Sequence, residues 1–197
     1  MGTIRACAWG AAMTEVLSVS SVFDYLSGRS VPFVVFPDSE SDVAERTAER
    51  HGIDVGEMVR TEVVSGRFGL ALMVVPWDRR LDLMLVRRAM NDPGVRLATP
   101  EELMEKVPEF DVDSWPPLGL LLLLPTFVDR QVAARDQVVF PAGKPSSLVC
   151  LQADELFRED PVVITSLTSQ TRKQEPAGTR RGNLWAVRPD PESPALG

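Results

Sequence analysis

Four short segments of the chain carry residue types that could bind or convert a substrate. Arg60 interrupts the strand-like pattern MVRTEVV, and DSWPPLG places an acid, a hydroxyl and an indole on a proline-stiffened loop at residues 113–119. LPTFVDR ends a predicted buried strand with Asp129, and FPAGKP places Lys144 on a Gly-Lys turn between two predicted strands. Each segment alone is weak evidence, because a strand arginine usually lies on the surface and such a turn is usually only a turn.

The few histidine and cysteine residues limit which kinds of catalytic or metal site the chain could form. His51 is the only histidine, so a Ser-His-Asp triad would have to use it, and a zinc site would be built almost without imidazole. It ends AERTAERHG directly before Gly52, where a histidine commonly serves a helix C-terminus, and this interpretation is favoured over catalysis. Cys7 and Cys150 are too few and too far apart for a disulfide framework or a metal knuckle. We therefore predict no metal and no cofactor.

Composition and charge limit the class of partner. The 197 residues are 44% hydrophobic, which is enough for one well-buried domain. The formal net charge of −7 repels nucleic acid, so any RNA contact must rest on a local basic patch. This argues against DNA binding and against a general nucleic-acid binder, but it permits an enzyme that contacts one RNA end.

The longest apolar run is better explained by a buried strand than by a membrane span. Residues 118–128 contain Pro125 and number only 11, which is too short to cross a bilayer. The opening MGTIRACAWGAAM is weakly apolar and is interrupted by Thr14 and Glu15, so it does not read as an export signal. We predict a cytoplasmic protein without a membrane partner.

Hydrophobic periodicity predicts a mixture of strands and helices. Predicted strands cover residues 31–36, 58–64, 68–75, 95–98, 121–129, 137–140 and 147–151. Predicted helices cover residues 14–27, 41–50, 81–90 and 153–158, and another begins after the cap Thr99. Strands outnumber helices, and hairpins mix with helical crossovers. This combination is typical of a single α+β or mixed α/β domain.

The ends of the chain differ from its middle in composition. We predict that residues 1–13 form a disordered N-terminal extension and that residues 14–165 form the domain. Residues 166–197 show no amphipathic period, so we predict that they form a disordered tail.

The order of the four segments along the chain is stronger evidence for a function than any one segment. Together with their neighbours they read VPFVVF, DVAERTAERHG, MVRTEVV, VVPWDRRLDL, LATPEEL, DSWPPLG, LPTFVD and VVFPAG. In this order the stretches resemble the YbaK family of aminoacyl-tRNA deacylases, which includes the editing domain inserted in bacterial prolyl-tRNA synthetases. The resemblance covers roughly residues 30–158, although each motif alone is loose. It implies a mixed, mostly antiparallel sheet that curls toward a barrel with helices around it.

The resemblance also implies the residues of a site. In the family, the Pro-Pro loop forms one wall of the amino-acid pocket, and stiff prolines suit that role because little entropy is lost on binding. The residues carried over as catalytic are Arg60 and Asp113. The residues carried over as substrate-binding are Ser114, Trp115, Pro116, Pro117, Gly119, Ala142, Gly143 and Lys144. A plain entry of the chain into the core is the alternative explanation of the loop.

Two of these positions depart from the family pattern. Arg60 stands where the family has lysine; it keeps the positive charge but has a larger, forked head group. Asp113 stands where the family has the first glycine of the loop, and its carboxylate would repel the phosphates of a tRNA 3′ end. Leu118 also replaces the usual phenylalanine. The first two substitutions bear on catalysis more than on the fold.

The resemblance implies an enzyme that hydrolyses the ester bond of mischarged aminoacyl-tRNA in trans, without a protein nucleophile. Its partners would be the 3′ end of aminoacyl-tRNA and an aminoacyl-tRNA synthetase. The alternative is a catalytically degenerate module that binds tRNA ends or a synthetase without hydrolysis, and the substitutions at Arg60 and Asp113 favour it.

Overall fold

The computed structural model describes residues 19–37, 44–158 and 161–172. The strands within them are β1 (Phe33–Pro37), β2 (Val59–Gly66), β3 (Gly69–Pro76), β4 (Arg79–Leu81), β5 (Arg96–Leu97), β6 (Thr126–Asp129), β7 (Gln137–Pro141), β8 (Ser147–Gln152), β9 (Val162–Thr165) and β10 (Thr168–Arg172). The helices are α1 (Val19–Gly28), α2 (Ala44–Arg50), α3 (Leu83–Met90), α4 (Pro100–Lys106), α5 (Gly119–Leu122), α6 (Arg130–Ala133) and α7 (Ala153–Phe157), and a 3-10 turn spans Val55–Glu57. The predicted N-terminal extension and most of the predicted tail lie outside the described residues.

An antiparallel hairpin of β2 and β3 forms the centre of the fold. Residues 59–66 pair with residues 76–69 in continuous register. Side chains alternate along a strand, so β2 buries its residues 59, 61 and 63, while Arg60 and Glu62 lie on the partly exposed face. The hairpin turns at Arg67 and Phe68, whereas the predicted strands left residues 65–67 for the turn, and Gly69 follows with a φ of +100°.

Two larger sheets and one small one make up the strand layers. The five-stranded sheet has the order β5-β2-β3-β6-β9, the three-stranded sheet β1-β8-β7, and β10 pairs with β4. Every strand pair is antiparallel except β3 with β6 and β6 with β9. A bridge between Met58 and Val139 joins the two larger sheets, which curl toward each other. The predicted fold class, a single mixed and mostly antiparallel α+β domain, is confirmed.

The helix signals in the sequence act as expected. Thr99 and Glu102 form a capping box at the start of α4: the Thr99 hydroxyl accepts from the Glu102 N–H at 3.3 Å, and the Glu102 carboxylate accepts from the Thr99 N–H at 2.8 Å. His51 follows the end of α2, where its N–H donates to the Thr47 carbonyl at 3.2 Å and its ring contacts Phe36. The prediction that His51 serves a helix end is therefore confirmed.

The main core lies between the two larger sheets. It contains Leu26 from α1, Val59 and Leu72 from the central hairpin, and the rings of Trp115 and Phe140. These side chains come from distant parts of the sequence, so the core fixes the loop that contains Trp115 relative to β2.

The predicted strand over residues 121–129 is wrong in its first half. Residues 119–122 form one helical turn, α5, which ends at Leu123 in the left-handed region with a φ of 55°. The strand begins only at Thr126, after Pro125. A short apolar run fits a buried strand and a buried helical turn equally well, so periodicity alone could not separate them. In the described part of the chain, no helix is long and apolar enough to cross a membrane.

The predicted boundary of the tail at residue 166 is too early. Residues 162–165 form β9 beside β6, and residues 168–172 form β10 beside β4. Leu167 is fully buried, and Thr168 is buried beside it. Little in the sequence indicates β10, because its partner strand β4 is distant along the chain and TSLTSQTR has no alternating apolar pattern.

Candidate functional site

A cleft of about 500 Å³ opens beside β2. The start of α2, the strand β2, the segment from Leu97 through α4 and the loop at residues 112–114 contribute to it, together with Trp77 and Pro145. Its lining residues are Ala44, Glu45, Arg60, Thr61, Glu62, Val63, Trp77, Leu97, Ala98, Leu103, Val112, Asp113, Ser114 and Pro145. The lining combines apolar side chains with charged ones.

The cleft lies along a free edge of β2. This strand pairs with β3 over its whole length, but on its other side its pairing among the described residues is limited to Val64 and Ser65, opposite β5. The Val63 carbonyl faces this second side, where it accepts from the Ala98 N–H at 2.9 Å. Because backbone groups alternate in direction along a strand, Thr61 directs its N–H and C=O to the same side. The cleft therefore meets backbone hydrogen-bonding groups as well as side chains.

Arg60 is held in the cleft by two contacts. Its Nη2 lies 3.0 Å from Glu62 Oε1 and donates to the Arg79 carbonyl at 2.8 Å. The side chain is 17% exposed, and its buried Nε has no hydrogen-bond partner among the described residues. The guanidinium is thus fixed in direction and partly neutralised.

Thr61 was not among the residues predicted for the site. It is 7% exposed and lines the cleft, and within the described ranges its hydroxyl oxygen has no hydrogen-bond partner. A signal was present in the sequence: in MVRTEVV, Thr61 occupies the inward phase of the alternation between two valines. A hydroxyl in that phase is costly unless something pairs with it.

The loop from Asp111 to Ser114 forms the facing wall. Asp111 donates its N–H to the Gly143 carbonyl at 2.9 Å, and Gly143 donates its own N–H to the Ser114 carbonyl at 2.8 Å. The Ser114 N–H donates back to the Asp111 carbonyl at 2.9 Å. The Gly-Lys turn therefore acts as a brace behind the loop. Asp113, at its tip, is exposed and lines the cleft.

Gly143 is required at this brace for two reasons. Its φ is +92°, which L side chains rarely adopt. A Cβ there would lie 2.6 Å from Cδ1 of the Phe110 ring. The chain can bring the turn this close to the loop only without a side chain.

The structure separates the predicted site residues into two groups. Arg60, Asp113 and Ser114 line the same cleft. The other predicted positions do not line it: Trp115, Pro116, Pro117, Gly119, Ala142 and Gly143 are buried, and Lys144 is exposed outside it. The loop thus presents its first half to the cleft, and its second half anchors it.

Trp115 and Gly119 show how that anchoring works. The Trp115 ring packs edge-to-face on Phe110 with centroids 6.0 Å apart, and the residue is 1% exposed. A Cβ at Gly119 would lie 2.1 Å from Thr126 Oγ1 and 2.9 Å from the Leu124 carbonyl. In this structure both residues hold the loop against the core, and their contact with a substrate stays a prediction.

Glu45 and Trp77 also line the cleft, and neither of them was predicted from the sequence as a site residue. Trp77 Nε1 donates to Glu45 Oε1 at 2.8 Å, which ties the start of α2 to the segment after β3. Both residues lie in stretches that carry the family resemblance, but nothing in the sequence indicates that they meet across 32 positions.

Hydrogen bonds to the Glu102 carboxylate fix α4, whose Leu103 lines the cleft. Glu102 accepts from both Arg96 Nη atoms at 2.8 and 2.9 Å, and from the Ser65 hydroxyl at 3.1 Å. The Arg96 hydrogen bonds and the Thr99 N–H lower the pKa of Glu102 to about 2. The position of α4 is thus set by charge-assisted hydrogen bonds at its first turn.

Asp129 does not belong to the cleft. Its Oδ1 accepts from the Gln131 N–H at 2.8 Å and so caps the start of α6. Its Oδ2 accepts from the N–H groups of Leu167 and Thr168 at 2.8 and 3.0 Å and from the Thr168 hydroxyl at 3.1 Å. Within the described ranges, no group of three or more His, Cys, Asp or Glu residues is arranged to hold a metal ion.

Comparison with known proteins agrees with this arrangement. The family described as the aminoacyl-tRNA editing domain matches residues 38–159, which is more than half of the chain and includes every residue that lines the cleft. This chain belongs to that family. It is also 31% identical over 78 residues to a proline–tRNA ligase of Fervidobacterium nodosum. That match covers 40% of this chain but only 12% of the ligase.

Two crystal structures share the fold of this editing domain. One is of a protein proposed to be a trans-editing enzyme for prolyl-tRNA synthetase; it is 27% identical, has a TM-score of 0.67, and the match covers 80% of this chain and 99% of that one. The other is of the hypothetical protein APE2540, with 23% identity, a TM-score of 0.68, and coverage of 76% and 99%. The second match bears on the fold alone.

Proposed function

We propose that this editing domain hydrolyses the ester bond between a mischarged amino acid and the 3′ ribose of its tRNA, acting in trans in the cytoplasm. The observation that carries the proposal is the meeting of Arg60, Thr61 and Ser114 at one cleft, with unpaired polar atoms on β2. The cleft volume of about 500 Å³ suits an amino acid and part of a ribose.

The reaction needs positioning more than it needs a protein nucleophile. Water attacks the ester carbonyl, the bond between the carbonyl carbon and the ribose oxygen breaks, and the free amino acid and tRNA leave. Holding the ester and a water molecule in one orientation supplies much of the acceleration in such a step. The backbone edge at Thr61 and the braced loop at Ser114 face each other across the cleft and are the groups we assign to this task.

Arg60 is assigned to the 3′ end of the tRNA. Its contacts with Glu62 and the Arg79 carbonyl fix the direction of the guanidinium. A fixed donor loses little entropy when it binds a phosphate or a ribose oxygen.

A second function, binding without hydrolysis, is favoured by one specific observation. Glu62 lies 3.0 Å from Arg60 and offsets much of its charge, whereas a free cation would attract the tRNA end more strongly. A module of this kind would bind a tRNA end or a synthetase and release it unchanged.

A deacylation assay separates the two functions. Wild type, Arg60→Ala and Arg60→Lys are incubated with tRNAPro charged with alanine, serine or cysteine, and with correctly charged prolyl-tRNA. We expect wild type to hydrolyse at least one mischarged tRNA, Arg60→Ala to lose about tenfold or more in kcat/KM, and Arg60→Lys to retain activity. The loss should shrink at high salt.

The matched control is Arg158→Ala, which removes an exposed arginine paired with Glu155 on α7, outside the cleft. It should behave as wild type. If no mischarged tRNA is hydrolysed by wild type, by Arg60→Lys or by Arg60→Lys combined with Asp113→Gly, the binding function replaces the hydrolytic one.

A further inference from the structure

The cleft is lined by more negatively than positively charged side chains. The charged side chains that line it are Glu45, Arg60, Glu62 and Asp113, three carboxylates and one guanidinium, which gives a formal charge of −2. Arg60 and Glu62 pair with each other at 3.0 Å. Among the residues that the structure describes, the other two carboxylates, Glu45 and Asp113, have no cationic partner.

These two carboxylates differ in their surroundings. Glu45 accepts a hydrogen bond from Trp77 Nε1 at 2.8 Å, so one of its oxygens is occupied. Asp113 is exposed at the tip of the braced loop, and within the described part of the chain no donor is hydrogen-bonded to its carboxylate. Asp113 is thus the carboxylate of this cleft that is open to a ligand.

A second observation, independent of the carboxylates, also indicates a polar ligand. Thr61 lines the same cleft and is 7% exposed, and its buried hydroxyl has no hydrogen-bond partner in the part of the chain that the structure describes. A buried hydroxyl left in this state costs free energy, and a ligand that donates to it or accepts from it recovers that cost.

An anionic cleft with an unpaired hydroxyl disfavours a phosphate and favours a cation that can donate several hydrogen bonds. An aminoacyl ester carries such a group next to its carbonyl, the α-ammonium. We infer that Asp113 binds the α-ammonium of the aminoacyl group, with Thr61 as the polar contact inside the cleft. The inference rests on the proposed function for the substrate that it names.

This arrangement divides the substrate by charge. The ammonium end lies in the anionic part of the cleft, and the phosphates of the tRNA stay outside it, toward Arg60. The site would then select esters with a free α-amine and discriminate against esters that carry a hydroxyl or an N-acetyl group there. The Asp113 carboxylate, which opposes the binding of phosphates, would favour the acyl group instead.

The test uses stable analogues of the aminoacyl end. The probes are 3′-(L-alanylamino)-3′-deoxyadenosine and its L-lactyl counterpart, in which the amine is replaced by a hydroxyl, and their dissociation constants are measured by titration calorimetry. We expect wild type to bind the alanyl probe about fivefold to tenfold more tightly, because an exposed ion pair contributes modestly. Asp113→Asn, which keeps the size of the side chain, should bring the ratio close to one.

Asp111→Asn is the matched control, because Asp111 is an exposed acid on the same loop that does not line the cleft. It should keep the wild-type ratio. The inference is overturned if wild type shows no preference, if Asp113→Asn keeps it, or if neither probe binds at millimolar concentration.

The binding test and the deacylation assay distinguish failure of this inference from failure of the proposed function. A wild-type preference that depends on Asp113, without hydrolysis of any mischarged tRNA, supports the ammonium site and contradicts the proposed deacylation. Hydrolysis of a mischarged tRNA without any preference for the amine supports the proposed deacylation and contradicts the ammonium site.

Discussion

Two polar regions of this domain treat their hydrogen-bonding groups in opposite ways. At the corner where β6 ends, Asp129 is 2% exposed and accepts four hydrogen bonds, three of them from Leu167 and Thr168. At the cleft beside β2, the buried Arg60 Nε and Thr61 Oγ1 have no hydrogen-bond partner in the described part of the chain. Both regions are built on strands of the same sheet, so the difference does not arise from the type of element.

The difference separates groups that hold the fold from groups available to a ligand. Burying a polar atom costs free energy unless a hydrogen bond replaces the one lost to water. At the corner, groups of the chain itself supply the hydrogen bonds, which is the pattern of a structural site. At the cleft these hydrogen bonds are not made within the described residues, and a bound partner could supply them. Substitutions at the corner should therefore change stability first, and substitutions in the cleft should change function first.

The largest effect on stability is expected from Asp129→Ala. The change leaves two backbone N–H groups and one hydroxyl without their acceptor in a buried place, so the free energy of unfolding should fall by about 3 kcal/mol or more. Urea denaturation measures this loss. Asp136→Ala, at an exposed aspartate, is the control and should be nearly silent. A similar small change for both variants would show that the corner does not hold the C-terminal strands.

A smaller loss is expected at the brace of the cleft wall. Gly143→Ala would place a Cβ 2.6 Å from the Phe110 ring at a residue with a φ of +92°. Strain of this kind costs about 2 kcal/mol. Deacylation should fall as well, because the loop at Ser114 depends on the Gly143 N–H. Gly28→Ala, where a Cβ meets nothing within 4 Å, is the matched control. Normal stability of Gly143→Ala would contradict the bracing role.

Glu102 gives the smallest effect and a defined dependence on pH. Its folded pKa is lowered to about 2 from 4.5, so its contribution to stability is complete above the unfolded value and is lost as the pH falls through the folded one. Glu102→Gln should be less stable than wild type at pH 7, and the difference should disappear between about pH 4.5 and pH 2. The measurement is a series of urea titrations across pH, with Glu105→Gln as the control. A difference that does not change with pH would show that the cap acts by shape alone.

Local patterns predicted most of the regular elements. Alternation in MVRTEVV predicted β2, and the order of Thr99, Pro100 and Glu102 predicted the capped start of α4. These signals succeed because the cause lies within a few residues of the element. The run of leucines at 120–124 misled because apolar character alone does not distinguish a strand from a helical turn, and β10 was missed because its partner strand is distant in the sequence.

The candidate site was predictable only in part for the same reason. The resemblance pointed to Arg60 and Asp113, and these two residues line one cleft. It did not separate the half of the loop that faces the cleft from the half, at Trp115 to Gly119, that enters the core. Glu45 and Thr61 were missed because their roles depend on which side of a sheet edge is left unpaired, and that is a property of the folded chain.

The most direct test of the difference between the two regions is Thr61→Val, with stability and function measured on the same preparation. Valine has the shape of threonine without the hydroxyl, so removing an unpaired buried group should leave the free energy of unfolding unchanged or slightly higher. The same variant should lose several-fold in kcat/KM for mischarged tRNA, or in affinity for the alanyl probe. A loss of about 1 kcal/mol or more in stability with unchanged function would contradict the account, since it would place Thr61 with Asp129 among the groups that hold the fold.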